Sequence, residues 1–150
     1  MHHRLFIRGG GNVTVQEVKT VLNAVRAAFR DYELAQEKTL RFRSTLTGAA
    51  QIMSDMPQSA HNENSREKGY LKLVEYSEDA AYKFRDYLLM RERAEKLIGA
   101  LDDHDEQEVL TRRYIMFEKW ENIASKMYMS DRKVFYLQRT GMRKISESLQ

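Results

Sequence analysis

The sequence predicts an all-α chain: a long antiparallel helical hairpin followed by a C-terminal trihelical domain. Three observations carry this. One Pro and seven Gly among 150 residues, beside 42% hydrophobic and 31% charged residues, is the composition of helices rather than of a sandwich or barrel. Apolar residues recur at three- and four-residue steps through most of the chain, the mark of amphipathic helices. The last fifty residues compress that periodicity into short stripes separated by tight breaks.

Size and chemistry narrow the classes further. A chain of 17.7 kDa is about one domain, or a small domain with a helical appendage, which excludes a two-domain enzyme of the Rossmann or TIM-barrel kind. With no Cys there is no disulfide framework, thiolate zinc site or cysteine nucleophile, and a reducing compartment, the cytoplasm, is expected. No window approaches the roughly 18 apolar residues of a membrane span, and Met1-His2-His3-Arg4 is not expected to act as a leader.

Residues 1–12, with His2, His3 and the Gly9-Gly10-Gly11 run, are expected to form a flexible arm. Two adjacent imidazoles without carboxylate partners do not make a metal site. Residues 13–101 are expected to form the hairpin. From Thr14, the residues Val18, Val21, Leu22, Val25, Phe29 and Tyr32 make one apolar stripe. It runs on through Leu40, Phe42 and Leu46 with a slip of phase after Tyr32, where a bend or a change of partner is expected. Residues 48–66 hold the only proline, Pro57, and a Ser/Asn/Glu-rich stretch, which is loop chemistry, with Ile52, Met53 and Met56 anchoring its start. A second long helix is expected over 65–100. There Leu71, Val74, Ala81, Leu88 and Ile98 sit near heptad, coiled-coil spacing, with Tyr70, Phe84 and Leu101 alongside. Two helices make a thin core, so the wide stripe from Val18 to Tyr32 is expected to serve a second copy, making a homo-oligomer.

Residues 102–150 are expected to form the third part. Asp103 stands three residues ahead of Glu106, and acidic side chains suit a helix N-terminus; that explains the cluster Asp102, Asp103, Asp105, Glu106 and Glu108 better than a Mg²⁺ or Ca²⁺ site, whose EF-hand spacing is absent. The helix so begun buries Val109, Leu110, Tyr114 and Ile115 until Phe117-Glu118-Lys119 interrupts it. Trp120, Ile123, Ala124 and Met127 define a second short helix, with Trp120 as an anchor between helices. Tyr128-Met129 forms a turn, and Ser130 caps a third helix that buries Val134, Leu137, Met142 and Ile145. Met116, Met127, Met129 and Met142 are core before they are a partner surface.

Charge sharpens the function. The net charge is +3, but residues 1–50 carry +4, 51–100 carry −1 and 101–150 are neutral. Within the last third, Arg132, Lys133, Arg139, Arg143 and Lys144 stand against Glu147 alone from residue 132 onward, with Phe135 and Tyr136 interleaved. A basic, aromatic helix that is capped at its start and follows a short helix across a tight turn is the geometry of a helix-turn-helix entering a major groove.

The segments Glu106-Gln-Glu-Val-Leu-Thr-Arg-Arg-Tyr114, Trp120-Glu-Asn-Ile-Ala124-Ser-Lys-Met-Tyr-Met-Ser130-Asp-Arg-Lys-Val134 and Met142-Arg-Lys-Ile145 together resemble region four of bacterial sigma factors, over about residues 103–149. With the N-terminal helical pair and the Ser54-Asp55-Met56-Pro57 element, the chain also resembles phage-encoded regulators of the ArpU and RinA type. The resemblance implies a DNA-binding transcription regulator of phage or prophage origin, with double-stranded DNA and RNA polymerase as partners. By the same resemblance, base-edge contacts fall at Asp131, Arg132, Phe135 and Tyr136, beside the capping Ser130. Arg132 is a guanine reader by its chemistry, whereas Lys133, Arg139 and Arg143 suit phosphates. Two departures from the pattern stand out: Tyr128 occupies a turn position that often takes Gly, and Gly141 lies inside the third helix, where it permits a close helix contact.

Catalysis has no constellation to rest on. His61 and His104 stand apart from any nucleophile elbow, Gly-rich phosphate loop or HExxH, so no enzyme activity, cofactor, metal or small-molecule substrate is expected. The alternatives within the binding class are a sigma-like polymerase adaptor, for whose promoter-melting segments the preceding residues leave little room, and a small-terminase-like packaging protein, whose DNA-binding unit would stand at the other end of the chain.

Overall fold

The computed structural model describes residues 11–54 and 61–150, and the side chains of all of these except 50–54 and 61–63. Among the described residues every regular element is a helix: α1 (Val15–Ser54), α2 (His61–Gly99), α3 (His104–Leu110), α4 (Trp120–Lys126) and α5 (Asp131–Ser148), with a π-helical turn, Thr111–Ile115, continuing α3. Residues 1–10 of the arm expected over 1–12, with the imidazoles His2 and His3, and Pro57 lie outside the described residues, as do the side chains of Ile52, Met53 and Met56. Helix takes up most of the stretch expected as a loop over 48–66, reaching Ser54 on one side and starting at His61 on the other. Ser, Asn and Glu disfavour a helix interior only weakly, so a polar run does not stop one.

α1 starts at a reciprocal capping box that went unnoticed in the sequence. Glu17 N–H donates to Thr14 Oγ1 at 3.2 Å and Thr14 N–H donates to Glu17 Oε2 at 2.9 Å, satisfying two donors that the helix itself cannot. The stripe then buries Val18, Val21, Leu22 and Val25 and half-buries Phe29 and Tyr32. No break follows Tyr32. The seam continues at Ala35, Thr39, Phe42 and Leu46; the expected slip of phase is absent because a small and a polar residue, Ala35 and Thr39, take the seam positions there. Buried Thr39 donates to Ala35 O at 2.8 Å and to Tyr76 O at 3.2 Å, so its hydroxyl is satisfied inside an apolar seam.

The two long helices run antiparallel, because ring partners descend along α2 as they ascend along α1. Phe29 meets Tyr87 with centroids 5.1 Å apart, Tyr32 meets Phe84 at 5.0 Å and Phe42 meets Tyr76 at 5.2 Å. The register expected for α2 needs correcting. Ile98 and Leu101 are buried, but Tyr70, Leu71, Val74, Ala81 and Leu88 are exposed; the packed face is Leu73, Tyr76, Ala80, Tyr87, Ala94 and Ile98. Large aliphatics suggested the wrong stripe because the α2 side of this seam is built from tyrosines, whose rings meet rings on α1, and from small alanines.

By compactness the chain divides into two units. One is residues 28–87, the aromatic part of the hairpin; the other joins 1–27 to 88–150. The boundary expected at residue 102 therefore falls inside the second unit, whose fully buried side chains include Val18, Leu22, Val25 and Ala94 together with Val109, Leu110, Ile123 and Ile145. The Val18–Val25 stripe is thus covered within a single chain. It is not free for a second copy. No described helix is long and apolar enough to cross a membrane.

Candidate nucleic-acid interface

The C-terminal helices are positioned from α3 outward. Asp103 caps α3 by accepting from Glu106 N–H at 2.9 Å, as its spacing implies. The reciprocal half of a capping box is absent, since the Glu106 carboxylate turns inward instead. It is buried, and its Oε1 accepts from Thr140 Oγ1 at 2.8 Å and from Lys144 Nζ at 2.9 Å, both on α5. The hydrogen bond to Glu106 holds the Lys144 ammonium above its ordinary pKa. A buried carboxylate is retained only where paired and hydrogen-bonded, so Glu106 ties the two helices at one place. Glu106 Oε2 has no hydrogen-bond partner among the described residues.

Gly141 lies in the same contact. A Cβ added there would meet Leu110 Cδ1 at 3.1 Å, closer than side chains ordinarily pack, and Glu106 Cβ at 3.5 Å. The helix accepts Gly at that point because α3 and α5 need the space.

α3 then widens into the π-helical turn, in which Met116 N–H reaches Thr111 O at 3.0 Å. The extra residue per turn ends the helix and feeds Phe117, at φ 59°, into the connection to α4. Glu118, mostly buried, gathers Arg112 at 3.3 Å and Lys126 at 2.7 Å. Arg112 also bonds Glu108 at 2.8 Å, and these carboxylates raise its guanidinium pKa, Glu108 foremost. Arg113 donates to Glu118 O at 3.0 Å and lies 4.6 Å over the Trp120 ring. The interruption read in the sequence as Phe117-Glu118-Lys119 is therefore a built corner.

α4 and α5 close on Val109, Ile123, Ala124, Val134 and Leu137, with Trp120, Met127 and Met129 packed against them. Met142 is buried and Met116 is exposed. The turn between the two helices returns Met129 N–H to Ala124 O at 3.0 Å and puts Tyr128 at φ 55°. Its ring is 97% exposed, so no packing compensates the left-handed backbone that Gly would adopt freely. From the far side of α5, Gln138 donates to the Tyr114 hydroxyl at 2.9 Å; burial of that phenol, opposed by this bond and by Arg113, raises its pKa.

α5 spends one face on this core and presents the other. Ser130 Oγ accepts from Lys133 N–H at 3.1 Å, and Asp131 stands in the first turn, where a carboxylate suits the helix dipole. Asp131, Arg132, Lys133, Tyr136, Arg139 and Arg143 are exposed together. Arg132 and Arg139 have no ion-pair partner among the described residues. Lys133 lies 5.6 Å over the Tyr136 ring, and Arg143 pairs with Glu147 at 3.7 Å. Phe135 differs from the rest: its ring packs on Trp120 at 5.1 Å, which leaves it part of the wall between α4 and α5. Sequence reasoning missed the Arg113–Trp120–Phe135 stack. The seven-residue separation of Arg113 and Trp120 matches a helical repeat only by accident, because a corner lies between them.

No protein-family model, curated protein or solved structure matches the chain.

Proposed function

We propose that the chain is a DNA-binding transcription regulator that lays α5 in the major groove of double-stranded DNA. The observation that carries this is the outward face of α5. Arg132 and Arg139 project there without carboxylate partners among the described residues, beside Lys133, Tyr136 and Arg143, while the opposite face is filled by Val134, Leu137, Gly141, Met142 and Ile145. The side chains of that basic face lie outside the buried core. Arg132, in the first turn, suits a bidentate contact to guanine; Lys133, Arg139 and Arg143 suit phosphates; Tyr136 adds apolar and hydroxyl contact to a base edge. α4 then crosses the backbone as the first helix of the pair. Phe135 supports α5 through Trp120 and is not assigned a base. Phage or prophage origin follows from the resemblance to ArpU- and RinA-type regulators, and a contact to RNA polymerase from the sigma region-four resemblance of residues 103–149.

Selection of bound duplexes from a random pool, with and without RNA polymerase, tests the proposal. The expected result is a recovered consensus and binding that weakens steeply with salt. Absence of salt-dependent duplex binding under both conditions overturns it.

A further inference from the structure

The face of α2 turned away from α1 carries an unpartnered pattern. Along this one helix, the exposed residues Leu71, Val74, Glu78, Ala81, Arg85 and Leu88 recur at alternating three- and four-residue steps, flanked by Tyr82 and Leu89. More than half of each of the Leu71, Val74 and Leu89 surfaces is open to solvent. A surface helix of a monomer has no use for such a stripe, and contiguous exposed apolar residues mark a contact.

The charges within the stripe say what covers it. Four pairs of acidic and basic side chains on α2 bond each other, Lys72 with Glu75, Lys83 with Asp79, Arg91 with Glu95 and Lys96 with Glu92; none of them includes a charge set within the stripe between Leu71 and Leu88. Glu78 and Arg85 have no ion-pair partner among the described residues, and they lie seven residues apart on the same face. The order is palindromic in character: an apolar pair, Leu71 and Val74; an acid, Glu78; a centre, Ala81 and Tyr82; a base, Arg85; and an apolar pair, Leu88 and Leu89. Turned antiparallel on itself about Ala81–Tyr82, the face sets Glu78 against the other copy's Arg85 twice over and Val74 against the other copy's Leu89 twice over. The small Ala81 lets the helix axes approach closely where they cross.

We infer that the outer face of α2 is a self-complementary, isologous interface that holds two copies of this chain antiparallel. It is independent of the DNA-binding proposal and uses a different surface from the Val18–Tyr32 stripe, which is already covered.

Sedimentation of the full chain, across concentrations, with Glu78→Arg, Arg85→Glu and the double exchange tests the interface. The wild type sediments as a dimer. Each single reversal replaces two opposite-charge pairs by two like-charge pairs and weakens dimerisation by about tenfold or more, and the double exchange restores it. Because the chain has no Cys, Ala81→Cys gives a second measurement: oxidation yields a disulfide-linked dimer, whereas Asp79→Cys, on another face, does not. A wild type that stays at 17.7 kDa, single reversals without effect, or a double exchange that fails to restore the dimer overturns the inference. A pure monomer that binds a different protein through this face overturns it as well.

Discussion

Arg132 and Arg143 share one helix face and one chemistry, yet they are assigned opposite roles, which makes them the sharpest test of the interface. Arg132→Ala should cost about 1 to 3 kcal/mol on the preferred sequence and relax preference at one or two base positions. Arg143→Ala should weaken all duplexes alike and flatten the dependence of log K on log salt by about one unit. Competition binding across a duplex panel at several salt concentrations separates the two. Glu75→Ala, exposed on α2, should change neither. Equal, sequence-independent losses for both arginine variants would remove Arg132 from base reading. Buried tyrosine and paired lysine govern a different behaviour. Tyr114 and Lys144 both hold their protons more tightly in the folded chain than ordinary phenols and ammonium groups do. Their stabilisation is complete below the unfolded values near pH 10 and is lost as pH rises through the folded ones. The melting temperature should therefore fall in that alkaline range, and less steeply in Tyr114→Phe, whatever the variant's stability at neutral pH.

The turns and caps carry stability that single substitutions can read. Tyr128 holds a left-handed backbone with its ring in solvent, so Tyr128→Gly should stabilise the chain by about 0.5 to 1 kcal/mol, the relief of strain being partly offset by the freer unfolded backbone. Gly141 is the converse. On helix propensity a larger residue should help by up to about 1 kcal/mol. The 3.1 Å approach to buried Leu110 makes overpacking the larger effect, and Gly141→Val should destabilise by about 1 to 3 kcal/mol. Thermal melts of the two variants should shift in opposite directions. A stabilised Gly141→Val would mean that α3 and α5 can part without cost.

Over the full chain, the compact unit of residues 1–27 and 88–150 is drawn from both ends of the sequence. Deleting residues 1–27 removes the fully buried Val18, Leu22 and Val25 from that unit, not from the aromatic part of the hairpin. The truncated chain should melt earlier in near-ultraviolet signals from Trp120, the only tryptophan. Unchanged melting of the Trp120 environment would show that the helices from α3 onward complete their own core.

Helix content and the outline of the last three helices were legible in the sequence, because they depend on local chemistry. Few breakers, three- and four-residue periodicity, Asp103 and Ser130 as caps, and the alternation of buried and basic residues along α5 are all short-range signals. The α2 seam was not legible. A helix whose apolar residues lie on two faces does not announce which one its neighbour takes, and Tyr76, Ala80 and Tyr87 prevail over Leu71, Val74 and Leu88 only because rings on α1 await them. Glu106 likewise looked like a cap, and only the arrival of Thr140 and Lys144 from more than thirty residues away turns it into a buried tie. The π-helical turn and the left-handed Phe117 are consequences of closing that corner around Glu118. Local propensity names the helices; which faces they bury is settled by the partners that long-range packing brings to them.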